Sequence, residues 1–197
     1  MKVTVLAFIA SVALMASGTV CAQQEKEKQS GAPSASQKSD KVRSNTDAQR
    51  LKDLAQANMA EIEAGKLAAQ KAQSAQVKKF AQQMVDDHSK QLEEIKKLAQ
   101  AKGIELPAAP DAKHQGAVKK LQSASGEDFD KAYMREQVKD HRDALKLAQR
   151  TAKSAHDADL KSAADKAAPE IQEHLKMAQQ ISGSTKQAKK SQAGAGR

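Results

Sequence analysis

The chain has no tryptophan, one tyrosine, three phenylalanines and one cysteine in 197 residues. So few aromatics leave almost no platform on which the bases of a nucleic acid could stack. The lone cysteine, Cys21, can close no disulfide within the chain, and no cysteine cluster exists for a thiolate site. Four prolines and nine glycines are confined to a few places, and no window shows the apolar–polar alternation of a strand. A glycine-rich phosphate loop and a nucleophile–base pair are also missing, so enzyme chemistry would need a metal. What is abundant is Ala, Lys, Gln, Glu and Leu, all strong helix formers.

The two ends differ from the middle. The opening "MKVTVLAFIASVALMASGTVCAQQ" has one lysine, a short apolar run and small residues leading to Val20-Cys21-Ala22. It reads as a secretory signal peptide over residues 1–22, cleaved after Ala22. Val20 is too bulky for the lipobox position before Cys21, which argues against a lipoprotein. Beyond the signal no apolar run is long enough to span a bilayer. The expected product is soluble, exported and periplasmic. Residues 23–45 and 183–197 hold almost no large apolar side chain and read as a disordered linker and a disordered basic tail. The formal charge of +9 sits mostly in these ends: +1 in the signal, +2 in the linker and +4 in the tail. Residues 46–182 keep only +2, so the fold carries no basic face for nucleic acid. The tail could make weak contact with an anionic envelope or membrane surface, or simply solubilise the chain.

Residues 46–182 read as helix throughout. Apolar spacing predicts long helices from about Asp47 to Ala72, Ala75 to Lys102, Glu127 to Ala155 and Ala158 to Ser182. A short amphipathic piece from Asp111 to Ser123 separates the second and third. Pro169 is expected to kink the last helix or break a turn. Very short links around Gln73 and Ser74, and around His156 and Asp157, force antiparallel neighbours. The expected fold is an all-α antiparallel four-helix bundle with one extra short helix.

Three of the five histidines fall on apolar stripes. His88 follows Met84 by four residues, His141 follows Val138 by three, and His174 follows Ile171 by three. His114 near a loop and His156 in a turn are expected to be solvated. The first helix offers Glu61 at the edge of its stripe. Counted from the connecting turns at 1.5 Å per residue, Glu61 and His88 are level within about 3–5 Å, as are His141 and His174. One polar side chain from each long helix would then meet in a single layer.

The segments "AEIEAGKLAAQKA" (Ala60–Ala72), "VKKFAQQMVDDH" (Val77–His88), "LAQAKGIELP" (Leu98–Pro107), "FDKAYMREQVKDH" (Phe129–His141) and "APEIQEHLKMA" (Ala168–Ala178) carry a resemblance. Together they resemble the bacterial exported proteins grouped as domain of unknown function 4142, whose fold is described as ferritin-like. The resemblance implies a ferritin-like bundle and export, and no settled activity. Glu61, Asp87, His88, His141 and His174 stand at the motif positions. Ala168 precedes Pro169 where the family usually has leucine, so packing at that point is expected to differ.

A layer of three imidazoles and a carboxylate in an apolar core must pair internally or hold an ion. Its ligand inventory suits zinc, iron, copper or manganese, with Glu61, His88, His141 and His174 as metal ligands and Asp87 and Glu170 as supporting partners. A ferritin-type di-iron centre does not fit, because no Glu-x-x-His pair occurs. The alternatives are a metal-free structural or interaction protein of the envelope, with the cluster fixing helix register, and an acid sensor. The sequence names no protein partner.

Overall fold

The structure is a computed structural model that describes residues 35–194, with side chains described over residues 39–184. Five helices follow in chain order: α1 (Ala35–Lys71), α2 (Ala75–Ala101), α3 (Ala112–Ser123), α4 (Gly126–Ser154) and α5 (Ala158–Gly194). The signal peptide expected over residues 1–22 and the first part of the linker lie outside the described residues. Helix α1 starts at Ala35 rather than near Asp47, and α5 runs to Gly194 rather than Ser182. Side chains from Ser39 to Thr46 are exposed, so propensity rather than burial carries the extra turns of α1. Burial begins at Asp47 and ends at Ala178. Helix α5 passes through Pro169 unbroken, although proline cannot donate the helical bond to the carbonyl of Asp165.

The expected architecture is the one observed, an all-α bundle of four long antiparallel helices with a short helix between the second and third. Helices α1 and α2 form one hairpin and α4 and α5 the other, and the closest packing is within each hairpin. Gly65 shows how close: a Cβ there would stand 2.8 Å from Val85 Cγ2 and 3.0 Å from the Ala81 carbonyl. Each turn is held from the opposite hairpin. Buried Asp130 on α4 accepts hydrogen bonds from the Gln73 and Ser74 amides, at 3.1 and 2.8 Å. Buried Asp47 on α1 accepts from the His156 and Asp157 amides, both at 2.8 Å. Two amides of the turn that leads into a helix are satisfied by one carboxylate in each case.

The apolar core is divided. One cluster, with Ala68, Val77, Phe80, Met84, Phe129 and Tyr133, fills the end near the α1–α2 turn. A smaller one, Leu51, Ala155 and Leu160, fills the end near the α4–α5 turn. Between them the interior is polar.

Candidate metal centre

The polar interior is built by one residue per long helix. His88 and His141 continue the stripes that bury Met84 and Met134, and His174 lies one turn before Ala178. All three are almost fully buried, at 6%, 2% and 1% exposure. Their ring centroids are 5.5, 5.6 and 5.3 Å apart. One ring nitrogen from each lies within 4.8 Å of the other two. The sequence expectation that three helices aim an imidazole at one level therefore matches the geometry.

The outer hydrogen bonds decide which nitrogens are bare. Asn58 Nδ2 donates to the Leu54 carbonyl at 2.8 Å, which turns Asn58 Oδ1 toward His88 Nδ1 at 2.9 Å. An amide oxygen only accepts, so His88 Nδ1 carries the proton and Nε2 the lone pair. His141 Nδ1 donates to the Gln137 carbonyl at 3.0 Å, which also leaves its Nε2 bare. These two bare Nε2 atoms face each other at 3.4 Å. His174 Nε2 donates to Asp87 Oδ2 at 3.3 Å, and its Nδ1 is buried with no partner. Two neutral imidazoles thus face each other through bare nitrogens, beside a third whose Nδ1 has no partner.

The electrostatics keep them neutral. Burial pushes the pKa of His88 well below the usual value, and the neighbouring His141 and His174 push it further. Burial also lowers His141, against the opposing Gln137 carbonyl and Asp140. His174 is lowered by burial and His141, against Asp87 and Glu170. Burial works against ionised Asp87, but hydrogen bonds from Lys90, His174 and Gln83 hold its carboxyl below the usual range.

Glu61 corrects the expectation. It was placed with the histidines, yet its carboxylate accepts from Gln137 Nε2 at 2.6 Å and is absent from the group of converging donors. Asn58, one turn earlier on α1, faces the layer instead. Burial raises the pKa of Glu61 to about 7 despite the Gln137 bond. Asp87 and Glu170, the expected supporting pair, form a second group with His174, half-buried on its outer side. His156 is exposed, but His114 is half-buried, with Nδ1 2.9 Å from Asp111 Oδ1. Sequence reasoning missed Asn58 and Gln137. Gln137 had a signal, since it stands four residues before His141 on the same face of α4.

On one side of the layer lies a cavity of about 780 Å³ between the hairpins. His88, His141, Asn58, Glu61 and Gln137 line it, as do Leu51 and Leu160 from the far core cluster.

The profile of a family described as Domain of unknown function (DUF4142) matches residues 32–181. No curated protein matches the sequence. Among solved structures, a DUF305 fragment from Deinococcus radiodurans is similar with a TM-score of 0.62 at 11% identity, over 70% of this chain and 95% of that one. CopM in the Cu(II)-bound form is similar with a TM-score of 0.61 at 19% identity, over 70% of this chain and 96% of that one. At these identities the likeness is one of fold. No helix among the described residues is long and apolar enough to cross a membrane.

Proposed function

We propose a metal-handling role for this chain, which belongs to the family described as Domain of unknown function (DUF4142). His88 and His141, through Nε2, and His174, through a ring nitrogen, hold one transition-metal ion. The observation that carries this reading is the 3.4 Å approach of two bare Nε2 atoms beside a buried third imidazole whose Nδ1 has no partner. Two nitrogens bound to one tetrahedral ion at about 2.0–2.1 Å lie about 3.3 Å apart, so the spacing fits a shared ion. Without one, two lone pairs point at each other in the interior of the bundle. Asn58, the Gln137 carbonyl and Asp87 fix the three rings in the way outer partners of metal-bound histidine do.

Imidazole nitrogens suit copper, zinc, iron and nickel, and a Cu(II)-bound protein shares this fold, which puts copper first. Bound there, the ion would keep a position free for exchange, because only three protein donors meet. Asp87 and Glu170 provide a carboxylate approach from solvent. A signal peptide would deliver this activity outside the inner membrane, in the periplasm. The metal-free reading, a register-fixing cluster in an envelope protein, has its own support: the same three hydrogen bonds orient the rings with no ion.

The test is direct titration. Full-length chain stripped with a chelator and titrated with Cu(II) and Zn(II) should bind one equivalent of at least one of them. His141→Ala and His174→Ala should abolish that binding, while Glu61→Ala should retain it. Absence of stoichiometric binding, or binding that survives both histidine changes, would refute the assignment.

A further inference from the structure

The cavity beside the histidine layer has a polar floor and apolar walls. It runs from Glu61, Gln137, His88 and His141 toward Leu51 and Leu160. From Glu61 back to Leu51 along α1 is about 15 Å of helix. Leu54, Ile95, Leu98 and Leu147 line the walls between. The chamber is therefore long and has aliphatic side chains along much of its wall, as pockets for small amphipathic molecules do.

The floor is rich in acceptors, and Gln91 Nε2, one turn beyond His88, is a buried donor in the lining without a partner. Beside Glu61, Gln137 Nε2 is already committed to the Glu61 carboxylate. Gln137 Oε1 is buried without a partner, and Gln137 is only 1% exposed. His88 and His141 each donate elsewhere through Nδ1. The charged groups facing Glu61 are Asp140 and Glu136, both acidic, and His114. No lysine or arginine forms an ion pair with Glu61 among the described residues. Around the whole chamber, acidic side chains outnumber Lys and Arg. At Glu61 a carboxylate or phosphate head would meet like charge from Glu61, Asp140 and Glu136. A cationic head would find a carboxylate that lacks a counter-charge.

We propose that this chamber binds a hydrophobic cation, an apolar body ending in a protonated amine, with the ammonium on Glu61 and the body along Leu51, Leu54, Ile95 and Leu160. The proposal goes beyond metal binding and does not depend on it, because the ammonium meets Glu61 and no histidine need carry an ion.

Alkyl probes of matched length test it by calorimetry on the full chain in the presence of a chelator. Octylamine should bind saturably and at least tenfold more tightly than octanoate, with octanol between them. Affinity should rise about fourfold for each added methylene until the chamber is full. Glu61→Gln should abolish the preference for amine over alcohol and keep octanol binding, since it removes the charge and keeps the shape. Ala148→Phe, which fills the chamber near its far end, should shorten the longest chain accepted. His174→Ala, which removes a proposed metal ligand that does not line the chamber, should leave amine selectivity in place, and this separates the proposal from the metal reading. Octanoate binding as tightly as octylamine, selectivity that survives Glu61→Gln, or no saturable binding would overturn it.

Discussion

Replacing His88 by leucine separates a metal site from a polar cluster, because its effect should depend on whether an ion is present. In chelated protein the change has two opposing consequences. Burying a leucine contributes about 1.5–3 kcal/mol relative to leaving it exposed. Asn58 Oδ1 loses its 2.9 Å donor inside the core, which costs about 1–3 kcal/mol. The terms offset, so the chelated variant should melt within a few degrees of the parent. Adding Asn58→Leu removes the orphaned acceptor, and the double variant should melt above the parent. With metal present the parent gains about 2.7 kcal/mol at a hundredfold excess over Kd, because only the folded state assembles the ligands. For a chain of this size that is about 5–11 °C in melting temperature. His88→Leu should lose the whole of this gain. Differential scanning calorimetry of both proteins, with chelator and with one added metal, gives all four values. A parent whose melting temperature ignores both chelator and metal would refute the reasoning.

Two further outcomes follow from the same structure. The folded-state pKa values of His88, His141 and His174 are depressed, so the unfolded chain binds more protons below about pH 6.5. Their contribution to metal-free stability should therefore fall as pH drops from 7.5 to 5.0. Glu61, raised to about 7, acts in the opposite direction, its stabilisation being complete below about 4.5 and lost as pH rises through 7. Glu61→Gln removes that opposition, and a urea midpoint of this variant that rises in acid would contradict the burial of neutral imidazoles. Asp130→Ala and Asp47→Ala should each cost about 2–3 kcal/mol in urea unfolding, because each strips two turn amides of a charged acceptor. Losses below half a kcal/mol would show that water replaces them.

The sequence made the helices and the histidine layer legible for one reason: both are written in a single period. An inward residue repeats every three or four positions, so His88, His141 and His174 could be placed by counting from Met84, Val138 and Ile171. Levels could be counted too, because the turns are short. The same counting could not choose between Asn58 and Glu61. They stand three residues apart on one face of α1, and the choice depends on small rotations of that helix against α4. Asp47 and Asp130 were invisible as turn clamps, since they act across the hairpins and not along one helix. The start of α1 escapes the same counting, because exposed helix needs no apolar stripe.

The two clamps also explain where the site lies. Each hairpin is tight within itself, through alanines and Gly65, and each turn is tied down by an aspartate from the other hairpin. The ends of the bundle are thus fixed by charged hydrogen bonds and apolar clusters. The middle has neither: the hairpins stand apart around the cavity, and the layer beside it is polar. A buried imidazole trio costs stability wherever it is placed. The clamped ends still set the height of every helix, so the three rings arrive level without a metal to gather them. A bundle held in this way can keep a reactive or ligand-binding centre loosely packed and correctly aligned at once.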